Sequence, residues 1–174
     1  IQLQRPPIPK VMKSSWPTGA IDRFVMARLE HENVFPSKEA DAGTLIRRLH
    51  IDLTGMPPPP NLTKRLNDSS IIYSSIVDEL LASPQFGERL ASYWLDLVRY
   101  ADTVGYHGDQ DHPITPYRDW VIKSFNDNLP FDRFTAAQIA GDLLPESTVN
   151  DKIASGYNRL LQTSHEGGVQ QKEY

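Results

Sequence analysis

Residues 83–101 read SPQFGERLASYWLDLVRYA, and within them Phe86, Leu90, Trp94, Leu97, Val98 and Ala101 recur every three or four positions. Apolar residues at that spacing fall on one face of an α-helix. Ser83-Pro84 supplies the start. Serine suits an N-cap, and proline at the first helical position sacrifices nothing, because that N–H has no partner inside the helix. The spacing predicts a helix of four turns reaching Ala101, central to the core.

Upstream, Ile72, Ile76, Val77, Leu80 and Leu81 form another apolar stripe. Before it, Leu45, Ile46, Leu49 and Leu53 mark a helix that Asp41 can cap and that Gly55 and Pro57 to Pro60 stop. Four consecutive prolines read as a rigid, extended change of direction. Ile21, Phe24, Val25, Arg28 and Leu29 mark a first helix closed by Pro36. Residues 1–19, with four prolines and no helical period, read as an extended arm or linker; residues 20–174 read as the helical domain.

Downstream, Gly105 to Pro113 is a polar loop, and Thr115-Pro116 restarts a helix through Trp120, Val121 and Phe125 that Pro130 ends. Thr135 with Gln138 reads as a capping box for a short helix terminated by Gly141. Thr148 with Asp151 opens the last helix, which runs through Ile153 to about Leu160. No stretch of β-branched residues alternates with period two, so the expected fold is all-α, an irregular multi-helix domain behind a proline-rich extended arm.

Eighteen basic and 22 acidic residues give a net charge of −4 without a block of either sign, which argues against a nucleic-acid partner. No apolar run approaches the roughly 20 residues that cross a bilayer, so no transmembrane segment is expected. The absence of cysteine excludes a disulfide framework, a thiolate metal site and covalent haem attachment within these residues.

Asp96, Arg99 and Asp102 lie three apart, an acidic-basic-acidic ladder along one helix flank. It reads either as a structural ion-pair network or as a support that projects Asp102 into the polar loop beside Tyr106, Asp109 and Asp111. Asp102, Asp109 and Asp111 would then offer oxygen donors to a hard cation such as calcium, in an irregular site, because the alternating acidic positions of an EF-hand loop are missing. His107 and His112 are five apart in a loop, a spacing that fits no zinc-protease helix motif. Arg118 either points back to Asp102 or Asp109 and closes a charge network, or points outward and holds a carboxylate or haem propionate. The string His165-Glu166-Gly167-Gly168 lacks the second histidine of a metalloprotease helix and reads as a turn. Ser164 sits in no nucleophile elbow.

Taken in order, a set of short strings carries a family resemblance. They include Ile21-Asp22-Arg23-Phe24, Leu45-Ile46-Arg47-Arg48-Leu49, Asp52-Leu53-Thr54-Gly55, Leu80-Leu81-Ala82-Ser83-Pro84, Gly87-Glu88-Arg89 and Trp94-Leu95-Asp96. They continue with Arg99-Tyr100-Ala101-Asp102, Tyr117-Arg118-Asp119-Trp120-Val121, Pro130-Phe131-Asp132, Ala140-Gly141-Asp142-Leu143-Leu144-Pro145 and Glu166-Gly167-Gly168-Val169. From Ile21 onward the chain resembles the planctomycete cytochrome-associated family of unknown function, the second PSCyt domain.

The resemblance implies a middle part of a large exported, periplasmic or cell-surface protein, with a cytochrome c domain ahead of it. Similar sequences continue past the Glu-Gly-Gly-Val string into a Cys-x-x-Cys-His haem-attachment motif, which this chain does not contain. The implied role is a helical domain packing around haem c that an adjacent segment of the same protein holds covalently, in support of electron transfer to a redox partner. Tyr106, Arg118, His165 and Glu166 are the pocket residues this reading selects. Several similar sequences carry histidine where this one has Asn158, so that position is not an expected iron ligand. The alternative is an enzyme domain with its acidic, tyrosine and arginine site at 102–118, metal-dependent or not, acting on an extracellular carbohydrate or a small oxidisable substrate.

Overall fold

The computed structural model describes residues 5–12, 15–17, 19–65, 73–103 and 110–160. Among these the chain is all-α, as expected, with α1 (Ala20–His31), α2 (Ala42–Thr54), α3 (Pro60–Arg65), α4 (Tyr73–Leu81), α5 (Pro84–Leu97), α6 (Thr115–Asn126), α7 (Phe131–Ala140) and α8 (Val149–Ala154). Two 3₁₀ turns, Gly141–Leu143 and Ser155–Arg159, follow α7 and α8. No strand forms among the described residues; Thr103 and Asp111 make an isolated antiparallel bridge. The chain divides into two compact units, residues 1–41 and 42–174.

In the first unit, the described residues before Ala20 form neither helix nor strand. The Gly19 amide donates to the Asp22 carboxylate at 3.0 Å, and the Met12 amide donates to Glu30 at 2.9 Å. The covered face of α1 is therefore the one that carries Asp22, Met26 and Glu30, with Met26 fully buried. The expected stripe is displaced: Ile21, Phe24 and Val25 are exposed. Helical spacing identifies a period, and the carboxylate bonds to the preceding backbone choose which face is covered.

In the second unit, α2 starts directly after Asp41, and Gly55 turns to φ 75° at its end. Ile46 of α2 meets Ile76 and Leu80 of α4 in one apolar cluster, flanked by Leu49, Leu53 and Leu62. The four prolines do not stay extended throughout, since α3 begins on Pro60, where a missing N–H costs nothing. Ser83 is the N-cap of α5 with Pro84 at its first position, but its hydroxyl donates back to the Leu80 carbonyl at 2.8 Å and closes α4.

The helix around Trp94 forms, and it ends four residues before Ala101. Arg99 turns to φ 59°, the Tyr100 amide bonds to the Leu95 carbonyl at 2.8 Å, and the Arg99 amide bonds to Asp96 at 3.1 Å. This paired closure usually recruits glycine at the left-handed position, and here an arginine occupies it. The covered face is Gly87, Ala91, Trp94, Leu95 and Val98, while Leu97 is exposed. Asn33 after α1 and Asn128 after α6 adopt the same left-handed conformation.

Gly87 and Ala91 allow α6 to lie close against α5. A Cβ added at Gly87 would stand 2.5 Å from the Ile122 carbonyl oxygen of α6. Asn126 ties the same crossing, accepting from the Gly87 amide at 2.8 Å and donating to the Pro84 carbonyl at 3.1 Å. The main core gathers Ala91, Ile114, Tyr117, Val121 and Phe134. Covering a side chain the size of valine or phenylalanine in this way contributes roughly 1.5–3 kcal/mol.

α6 starts at Thr115-Pro116, as the sequence predicts. The reading of α7 is corrected: it begins at Phe131 with Pro130 as N-cap, so Thr135 lies inside the helix and bonds the Phe131 carbonyl at 2.8 Å. Gln138 is a buried core residue rather than a cap partner. Gly141 has right-handed geometry, φ −59°, and passes the chain directly into a 3₁₀ turn.

α8 opens with the expected capping box, the Thr148 hydroxyl and amide both bonding the Asp151 carboxylate at 2.7 and 3.0 Å. Those bonds, chiefly from Thr148, together with the Arg133 guanidinium at 2.9 Å, hold the Asp151 carboxyl below the usual carboxylate range. A depressed folded-state pKa stabilises the fold above the unfolded carboxyl's range, and that contribution disappears as pH falls through the folded value. Asp151→Asn is therefore expected to lower stability at neutral pH by about 1 kcal/mol and to weaken the acid dependence, measured by urea denaturation between neutral and acidic pH. A variant that keeps the wild-type acid slope would exclude Asp151 as its source.

Candidate functional site

The base of the polar loop is closed by backbone. Thr103 and Asp111 form the isolated bridge, and the His112 amide donates to the Asp102 carbonyl at 2.7 Å. Asp102 and Asp111 are thus brought to the two sides of one neck, both exposed. The Tyr100 hydroxyl donates to the Asp102 carboxylate at 2.6 Å. Burial and that bond push the Tyr100 hydroxyl up to about 12.

Arg118 binds its neighbour: its Nε and a terminal nitrogen both donate to the Asp119 carboxylate, at 3.1 and 3.0 Å. That pairing holds the guanidinium above its ordinary value, with smaller contributions from Tyr100 and Asp102. Asp96, Arg99 and Asp102 form no ladder, because α5 ends before Arg99, and no ion pair joins them among the described residues. Among the described residues, no group of three or more His, Asp or Glu side chains could hold a metal ion. Tyr106, Asp109, His165 and Glu166 lie outside the described residues, as do His107 and Ser164.

Immediately past the neck lies an open cleft of about 420 Å³, bounded by the segment leading into α6, by Asp142, and by α8 with its 3₁₀ turn. Ile114, Tyr117 and Ile153 give it apolar walls, and Lys152 and Arg159 line it with positive charge. Lys152 and Arg159 stand seven residues apart, two helical turns, which was the available sign in the sequence that they share a face. Neither was selected in the sequence reading, because the residues they face come from more than thirty positions upstream.

Three bonds hold this wall in place. A terminal nitrogen of Arg159 stands 3.3 Å from His112 Nε2, joining the last turn to the loop neck. Asn158 donates to the Gln138 and Ile139 carbonyls, each at 3.3 Å, and so joins the last turn to α7.

Behind the cleft, Tyr117 belongs to a buried polar triad. Its hydroxyl donates to Gln138 Oε1 at 2.6 Å, and the Trp94 indole N–H reaches Gln138 Oε1 at 2.9 Å and the Tyr117 hydroxyl at 3.2 Å. Gln138 Nε2 donates to the Phe134 carbonyl at 3.1 Å, so the amide is satisfied on both ends. Burial pushes the Tyr117 hydroxyl up to about 12, and it stays protonated at neutral pH. The triad orders the back of the cleft and exposes no reactive group to it.

An all-α domain whose charged side chains edge an open recess backed by the Trp94–Tyr117–Gln138 triad is the class that fold and cleft define. The chain belongs to the PSCyt2 family, proteins of unknown function (DUF1549), whose family model matches residues 20–174. No curated protein and no solved structure matches it. Among the described residues no helix is long and apolar enough to cross a membrane.

Proposed function

We propose that this chain is the helical domain of a multidomain, exported c-type cytochrome of planctomycete type, and that it packs against a haem held covalently by an adjacent segment. The observation that carries this reading is the cleft: apolar walls from Ile114, Tyr117 and Ile153 beside the cations Lys152 and Arg159. A haem presents the complementary pair of surfaces, an apolar macrocycle edge and two propionate carboxylates.

The residues present fit the edge of that group. Lys152 and Arg159 would hold carboxylates, and the apolar side chains would exclude water from one face. No histidine or methionine lines the cleft among the described residues, so its contribution is a wall, with the iron ligands coming from elsewhere. When bound, the haem supplies one-electron transfer. The domain's own part is to fix the local charge and dielectric, two of the levers by which a protein sets a haem potential. Its partners are then the haem-bearing segment and a redox protein.

The neck of the polar loop supports a second reading. Thr103 pairs with Asp111 and Asp102 with His112, so Asp102 and Asp111 share one neck, which supports an enzyme site drawn from Asp102, Tyr106, Asp109, Asp111 and Arg118. The natural gene product separates the two. A Soret band in its absorption spectrum is the expected result, unaltered by Asp102→Asn. Absence of the band would contradict the haem reading, and a turnover abolished by Asp102→Asn with the fold intact would favour the enzyme.

A further inference from the structure

Away from the cleft, a smaller cavity of about 190 Å³ lies among α2, α3 and α4. His50 of α2 lines it, only 8% exposed, and its Nε2 has no hydrogen-bond partner among the described residues. Asn61 and Glu79, both exposed, contribute an amide and a carboxylate, and Leu62, Ile76 and Leu80 supply apolar walls. A buried polar atom without a partner is a standing cost to the fold, and native proteins rarely carry one that nothing satisfies.

Size and charge narrow what would satisfy it. The cavity is smaller than the roughly 300–1,000 Å³ that holds drug-sized ligands, so the occupant has only a few heavy atoms. The Glu79 carboxylate disfavours an anion, and a neutral imidazole carrying its proton on Nδ1 leaves Nε2 free as an acceptor. Burial, which outweighs the opposing influence of Glu79, lowers the His50 pKa and keeps that ring neutral at neutral pH. The lining thus combines the acceptors of His50 and Glu79 and the amide of Asn61 with the hydrocarbon of Leu62, Ile76 and Leu80.

We propose that this cavity binds a small organic cation, a primary ammonium on a short apolar body, through His50 Nε2, Glu79 and Asn61. The ammonium donates to the imidazole and the carboxylate, and its alkyl part lies against Ile76 and Leu80. The site is independent of the cleft, and no haem is involved in it.

Propylammonium, 1-propanol and propionate share a shape and differ in charge, which makes them the probes. Each is titrated into the 174-residue chain near neutral pH while the His50 imidazole nitrogen resonances are followed by NMR, with assignment from His50→Gln. Propylammonium is expected to shift Nε2 saturably, and the other two to need at least about tenfold higher concentration. Glu79→Gln, at an exposed position, is expected to weaken propylammonium by about tenfold while the amide spectrum stays dispersed. No saturable shift would mean a cavity holding water only and would overturn the proposal. Equal shifts from propionate or propanol, or an affinity unaffected by Glu79→Gln, would overturn the assignment to a cation.

Discussion

Replacing Gly141 by alanine is expected to cost about 3 kcal/mol of stability or more, the largest effect of any glycine-to-alanine change among the described residues. A Cβ at this position would overlap the carbonyl oxygen of Asp151 and crowd the carbonyl carbon. The obstacle is backbone rather than the end of a flexible side chain, so relief requires α8 to move as a body. That helix is anchored: Thr148 and Asp151 close its first turn, Arg133 reaches Asp151, and the Ser147 hydroxyl bonds the Gly141 carbonyl at 2.6 Å. Because α8 carries one wall of the cleft, the same substitution is expected to deform the cleft. Urea denaturation reads the effect as a lowered midpoint with little change in slope. A loss below about 1 kcal/mol would show that α8 is free to shift, against the close approach described above.

Gln138→Leu is expected to cost about 2–3 kcal/mol, although leucine is apolar, of similar volume and at home in a core. The amide oxygen is the shared acceptor for the Tyr117 hydroxyl and the Trp94 indole N–H. Without it the two retain only each other, at 3.2 Å, and the indole–hydroxyl pair leaves the hydroxyl hydrogen with nowhere to go. Aromatic packing offers no replacement: Phe134 already meets Trp94 edge-on at 5.0 Å and stacks on Trp120 at 5.2 Å. Tyr117→Phe removes the donor to Gln138 and the longer, 3.2 Å acceptor of the Trp94 N–H, which keeps its bond to Gln138, and should cost about 1 kcal/mol. In a double-mutant cycle the two substitutions should therefore be less than additive, since each destroys the same bond. Full additivity by thermal or urea unfolding would mean that the triad is not a unit.

Where a structural signal was local, the sequence made it legible. Ser83-Pro84, Thr115-Pro116, Thr148 with Asp151, and Gly55 each encode a helix end within a few residues, and the helices begin or end there. The ends that were misread depend on residues whose usual meaning is different. Arg99 takes the left-handed position generally filled by glycine, and it lies among apolar positions that keep the helical period going to Ala101. Pro130 was read as a stop for one helix, yet it is also the N-cap of the next, and that shift moves Gln138 from a helix start into the core.

The site was less legible than the fold, for a physical reason. A cleft forms where segments distant in sequence meet, and Lys152 and Arg159 acquire meaning only when they face Ile114 and Tyr117. The polar loop drew attention because its acidic residues are neighbours in the chain. The structure brings Asp102 and Asp111 to one neck and turns Arg118 aside to Asp119.

The most direct test of the proposed role is a redox titration of the natural gene product, followed at its Soret band, with and without the double substitution Lys152→Ala and Arg159→Ala. Cations beside a haem disfavour the more positive oxidised iron, so their removal should lower the reduction potential. The expected decrease is some tens of millivolts, against about 59 mV for a tenfold change in a one-electron equilibrium. A potential that stays the same in the correctly folded variant would contradict a haem at this cleft, and a gene product without a Soret band would contradict the cytochrome reading altogether.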